Sequence, residues 1–91
     1  MQKLTWETAD EITINTAKKI TKIRKRKSIS QQKLEVLSGV SLGSIKRFEN
    51  TGQISFLSLT KIAMALGCID EIKNLFDNIP YASIEEVINE K

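Results

Sequence analysis

An all-α domain of five helices is what this sequence predicts, and three observations carry that expectation. Apolar residues recur at three- and four-residue spacing through most of the chain, the period of a helix that buries one face. Hydroxyl residues stand just ahead of those stretches, at Thr8, Ser30, Ser41 and Ser55, where each can accept from the first free amides of a helix. Gly39, Gly67 and Pro80 then supply stops, so few extended runs remain from which to build a sheet.

Taken in order, Thr8-Ala-Asp-Glu11 has the spacing of a capping box, and a first helix should begin at Thr8 or slightly earlier. Ala9, Ile12, Thr16, Ile20 and Ile23 keep one stripe at helical spacing to about Arg26. Acids at its start and cations at its end both complement the helix dipole. Ser28-Ile29-Ser30 is a short break, and Ser30 caps a second helix.

The stretch Gln31–Glu49 organises the rest. Leu34 and Leu37 share one face of the second helix, Ile45 and Phe48 one face of the third. Gly39 takes the left-handed position after a helix end, where a Cβ is costly. Ser41 caps the third helix, and Val40 and Ile45 occupy the two positions of a hydrophobic staple across that cap. Two helices, a glycine turn and a staple make a helix-turn-helix, which holds its second helix clear of its neighbours.

These residues resemble the helix-turn-helix of the Xre or Cro/CI-type family, the lambda-repressor-like DNA-binding domains. In that family a Gln opens the first helix of the motif, Gly-apolar-Ser makes the turn, and an apolar residue followed by Glu closes the second. Gln31, Gly39-Val40-Ser41 and Phe48-Glu49 match those places, and the likeness extends from about Ile20 to Phe76. Two positions depart from the pattern: Glu35 and Ser38 stand where the family usually has Ala. A carboxylate at Glu35 must tilt outward or find a partner.

Beyond the motif, Thr51-Gly52-Gln53 is a loop, and Ile54 and Leu59 have staple spacing around Ser55, which starts a fourth helix. Leu59, Ile62, Ala63 and Leu66 line its inner face, Gly67 ends it, and Phe56 and Met64 read as packing groups. A fifth helix is expected from near Ile69 to Phe76, with Ile72, Leu75 and Phe76 turned inward. Pro80 makes a hinge, and Ser83-Ile-Glu-Glu86 is one more capping box. Residues 1–79 therefore form one domain with an extended first helix, and residues 80–91 a C-terminal tail.

Ninety-one residues suffice for one core. The chain has no long apolar run to span a membrane and no charged-then-apolar start of the signal-peptide kind. Cys68 is alone, which suits a reducing cytoplasm and a small core residue. Net charge is +3, but residues 18–61 carry +9, flanked by −2 before and −4 after. Seven cations fall between Lys18 and Lys27: Lys18, Lys19, Lys22, Arg24, Lys25, Arg26 and Lys27. Such a run is commonly a solvated helix face; here it leads into the motif, and part of it is assigned to phosphate.

Catalysis is set aside. With no His the usual general base is missing. No Cys/His cluster can hold zinc, no Gly-rich loop serves a nucleotide, and no metal or cofactor is implied. The resemblance implies sequence-specific binding of double-stranded DNA, with Leu42, Gly43, Ser44 and Arg47 at base edges. Lys25, Arg26, Gln31, Ser41, Lys46 and Gln53 would then meet the sugar-phosphate backbone. Leu42 can touch a thymine methyl and Arg47 can take guanine bidentately, whereas Gly43 offers only close backbone approach. So few readers imply a homodimer, a repressor on a palindromic operator, joined through Leu75, Phe76, Tyr81, Ile84 and Ile88. The alternative implied by the same family is an antitoxin, with the acidic amphipathic tail gripping a HipA-like kinase toxin.

Overall fold

The computed structural model describes residues 6–78. Its helices begin where a side chain takes over free amides. Thr8 caps α1 (Ala9–Arg26) in a full capping box: its hydroxyl accepts from the Glu11 amide at 3.0 Å, and the Glu11 carboxylate accepts from the Thr8 amide at 2.8 Å. The Thr8 amide first, and its hydroxyl second, hold the Glu11 carboxyl below its ordinary value. Ser30 caps α2 (Gln31–Ser38), Ser41 caps α3 (Leu42–Thr51) and Ser55 caps α4 (Phe56–Ala65). Caps of this kind contribute about 1 kcal/mol each. Only α5 (Ile69–Lys73) lacks a side-chain cap. Among the described residues there is no strand.

Gly39 closes α2 at φ 77 and Gly52 closes α3 at φ 80, both in the left-handed region. Gly52 is fixed by a second constraint. A Cβ there would stand 2.8 Å from backbone atoms of Thr13 and Ile14, so the end of α3 rests directly on the α1 backbone. The helix therefore continues to Thr51, two residues past the Phe48-Glu49 closure.

α1 packs on α3, α2 on both α3 and α4, and α4 on α5. Ala17, Leu34, Val40, Ile45, Phe48, Ile62, Ala63 and Leu66 are buried at the centre. Each of the larger ones contributes about 1.5–3 kcal/mol by leaving water. The staple pair Val40 and Ile45 lies wholly inside this core, and Ile54 and Leu59 pack against it.

Four expectations need correction. The buried line of α1 is carried by Ala17 and Arg24, with Ile20 and Ile23 half-buried beside it, while Ala9, Ile12 and Thr16 are exposed. The close seat of Gly52 on α1 and the small side chain of Ala17 decide which face meets α3. Leu37 is exposed although Leu34 is buried, because three residues fall about 60° short of a full turn and carry it off the covered line. Phe56 and Met64 are exposed rather than packed; Met64 lies across α4 from the Leu59–Ile62–Ala63–Leu66 line. Lastly, α5 stops at Lys73, and Phe76 adopts φ 59, which a right-handed helix cannot continue through. Ile72 is half-buried as expected in kind, but Leu75 is 46% and Phe76 84% exposed. The Ser83 box and Tyr81, Ile84 and Ile88 lie outside the described residues.

Candidate nucleic-acid interface

α3 has two unlike sides. Ile45 and Phe48 anchor it in the core, while Gly43, Ser44, Lys46 and Arg47 are exposed and Leu42 is half-buried. The expected base readers thus lie outside the core, together with Lys46. Around Gly43 a Cβ would meet nothing within 4 Å, so the protein itself does not require glycine there.

The inner edge of α3 is tied to α1 by an ion pair that the sequence did not disclose. Arg24 is 7% exposed. Its Nε and Nη2 donate to Glu49 Oε2 and Oε1 at 2.7 and 2.9 Å, and its Nη1 donates to the Ile29 carbonyl at 2.7 Å. Gln31 Nε2 donates to Glu49 Oε1 at 2.8 Å. Burial alone would raise the Glu49 carboxyl. Hydrogen bonds from Arg24 and Gln31, with the charges of Arg24 and Lys25, outweigh burial and leave it below its ordinary value. Arg24 therefore leaves the cation run and works inside the protein. Its one sequence signal is position: it follows buried Ala17 by two helical turns. Gln31, expected at a phosphate, holds Glu49 through its amide nitrogen and stands at the start of α2 beside α3.

Glu35 has found its partner. Its Oε2 accepts from the Leu42 amide at 2.9 Å, so a carboxylate from α2 caps the first turn of α3 alongside Ser41. The Ser41 hydroxyl accepts from the Ser44 amide at 3.2 Å and donates to Ser44 Oγ at 2.9 Å. Both serines are locked to each other at the exposed end of the helix.

On the outer edge, Arg47 Nη2 donates to Gln53 Oε1 across the turn into α4. Ser44, Arg47, Gln53, Ile54, Ser55 and Ser58 line one shallow groove there. Sequence reasoning had Ser44, Arg47 and Gln53, which the fold brings together, but not Ser55 and Ser58. Their signal was faint: Ser55 was read as a cap, and Ser58 simply lies one turn further along α4. Lys25 and Arg26 are exposed at the end of α1. Lys25 shares a cleft with Glu49, and Arg26 does not line it.

On the far side of α1 an apolar groove runs between α1, α4 and α5, lined by Ile20, Ile23, Leu59, Ala63, Ile72 and Leu75 among others. Cys68 is on its wall, where burial, followed by the nearby Glu71 charge, pushes the thiol up. Among the described residues no three His, Cys, Asp or Glu side chains are grouped to hold a metal, and no helix is long and apolar enough to cross a membrane.

A helix held in the core by one face, with a polar, partly basic face turned outward, is the arrangement of the helix-turn-helix class of DNA-binding proteins. The family comparison is more particular. The helix-turn-helix family model HTH_3, of the Cro/CI type, matches residues 20–71, more than half of the chain, and the chain belongs to that family. Membership makes it a DNA-binding regulator in general terms. The match takes in the end of α1 and all of α2, α3 and α4, and leaves the first eleven residues of α1 outside. Searches of curated proteins and of solved structures each found no match.

Proposed function

We propose that this protein is a sequence-specific repressor that binds double-stranded DNA as a dimer on a palindromic operator. The observation that carries this reading is the division of α3: Ile45 and Phe48 are buried, while Gly43, Ser44 and Arg47 are exposed on a helix capped at both ends. Leu42, Gly43, Ser44 and Arg47 read base edges in the major groove. Lys25, Arg26, Gln31, Ser41, Lys46 and Gln53 take the backbone and set the register. Arg47 commits one donor to Gln53 in the free protein, and a guanidinium has five, so its remaining fork is available to guanine O6 and N7.

Three reading side chains, Leu42, Ser44 and Arg47, give one domain little discrimination, so a second copy is recruited to a half-site about one helical turn away. Leu75, on the wall of the apolar groove, and exposed Phe76 supply the dimer contact together with Tyr81, Ile84 and Ile88. Deleting residues 80–91 is expected to lower operator affinity without unfolding the domain.

The test is a pair of substitutions on two DNAs, a site selected from random sequence and a random duplex. Arg47→Ala should lose about 1–3 kcal/mol on the selected site and much less on the random one. Lys25→Ala should weaken both alike and reduce the salt slope by roughly one unit. Equal losses on both DNAs for Arg47→Ala would remove α3 from the reading role.

A further inference from the structure

The seven cations of residues 18–27 look alike in sequence, and the fold sorts them. Arg24 is buried on Glu49. Lys19 stands on the rim of the apolar groove. Lys27 reaches toward the turn after α4, its Nζ 3.9 Å from where a Cβ on Gly67 would stand, and Arg26 is exposed but lines no cleft with them. Lys18, Lys22 and Lys25 differ from all of these. They recur at i, i+4 and i+7, share one face of α1, and with Thr21 and Glu49 line a single cleft against α3.

We infer that Lys18, Lys22 and Lys25 form a phosphate track for double-stranded DNA, carrying the contact along α1 beyond the helix-turn-helix itself. The track presupposes the DNA reading above and adds residues to it. Three features favour this over a merely solvated helix face. First, all three lysines are exposed. The cleft's carboxylate, Glu49, is already paired with Arg24, so the positive charge of the row is left uncancelled within it. Second, the cleft lies on the opposite edge of α3 from the Ser44–Arg47–Gln53 groove. A duplex seated on the outer face of α3 would therefore have a polar wall on either side, as the two strands bordering a groove require. Third, seven residues of α-helix span about 10 Å, the axial rise of about three phosphates on one strand. Glu11, two turns before Lys18 on the same face, is turned back onto the Thr8 amide and marks the end of the row.

Lys18 also lies outside residues 20–71, so the track begins where the family match has not yet started. It is a property of this chain's extended α1.

The experiment uses the full chain with Lys18→Ala and Lys22→Ala combined, labelled duplexes and anisotropy titrations across a salt series. Circular dichroism melts should show the fold unchanged, as expected for exposed lysines. The double variant should weaken the selected site and random DNA by the same factor. The slope of log affinity against log salt should become shallower by about 2, one released counterion per lysine. Trimming the selected duplex to the bases that α3 reaches should erase most of the difference between the variant and the native chain. Native affinity and slope in the double variant, while Arg47→Ala still loses selectivity, would overturn the track and leave the DNA reading standing. A loss confined to the selected site would also overturn it, because that is the signature of base contact. Failure of the native chain to bind any duplex would remove both. A charge-reversed Lys18→Glu, Lys22→Glu chain gives an independent check and should lose more than the alanine variant on both DNAs.

Discussion

Arg24 and Arg47 belong to the same basic middle of the chain, yet they sit in opposite environments on the two edges of α3. Arg24 is buried, bidentate on Glu49 and bonded to the Ile29 carbonyl, so every part of its fork holds protein to protein. Arg47 is exposed and meets Gln53 alone among the side-chain partners described. Net charge cannot distinguish them. What does is whether a carboxylate lies within reach once α1 has docked on α3. The seam around Arg24 is the frame, and the face around Arg47 is what the frame presents.

The contrast can be broken most severely at the seam. Arg24→Ala leaves Glu49 buried without its partner and should cost about 3–5 kcal/mol, read from urea or thermal unfolding. Replacing both partners with apolar residues should recover much of that loss, since an uncompensated charge is worse than none. The same pair sets an acid limit. Against the effect of burial, the Glu49 carboxyl is held below its ordinary value by Arg24 and Gln31, so its contribution is complete above the unfolded value and is lost as pH falls through the lower, folded one. Glu49→Gln should therefore flatten the stability profile on the acid side of pH 4.5, as followed by melts at stepped pH.

Next in size is Gly52→Ala. It combines left-handed strain with a Cβ 2.8 Å from the Thr13 and Ile14 backbone, and a loss of about 3 kcal/mol is expected. A drop below about 1 kcal/mol would mean that α1 and α3 are not pressed together as described.

On the presented face the signs reverse. Gly43→Ala fills open space in the first turns of α3 and should stabilise the fold by about 0.5–1 kcal/mol. It should at the same time weaken DNA binding, because the added methyl stands between the backbone and the groove. A higher melting temperature with unchanged DNA affinity would show that no duplex approaches there. Smallest of all, Arg47→Ala should alter unfolding stability by no more than about 0.5 kcal/mol, against its larger effect on the selected duplex.

How far the sequence could be read follows from the range of each interaction. Thr8, Ser30, Ser41 and Ser55 were legible as caps because each bonds an amide three residues away. The Gly39 turn and the Val40–Ile45 staple were legible for the same reason. Arg24 was not, since its partner is brought in by the packing of α1 on α3 and only its place two turns after Ala17 marks it. Glu35 was read as a carboxylate in need of a partner, but the Leu42 amide became identifiable only once α2 and α3 had been set at their angle. Phe56, Met64 and Leu37 failed in the other direction. Apolar character placed them in the core, and a rotation of some tens of degrees about their helices put them outside. Around α3, Ser44, Arg47 and Gln53 were each singled out from the resemblance, but that they line one groove, and that the α1 lysines divide into rows, needed the packed helices to be seen.

The carboxylate that Glu35 lends to the Leu42 amide bears on how such an interface is powered. The first turn of a helix ordinarily offers about half a positive charge, a ready seat for a phosphate oxygen. In α3 that seat is partly filled from within the chain. A duplex arriving at the exposed end of α3 meets a muted pole, and attraction must come from long, solvated side chains whose pull fades as salt rises. On the DNA reading proposed above, grip would pass from a fixed backbone dipole to adjustable lysines, which favours easy release from the wrong sequence. Glu35→Ala should free the Leu42 amide, restore the pole and tighten binding to random duplex at low salt, narrowing the gap between a selected site and random DNA.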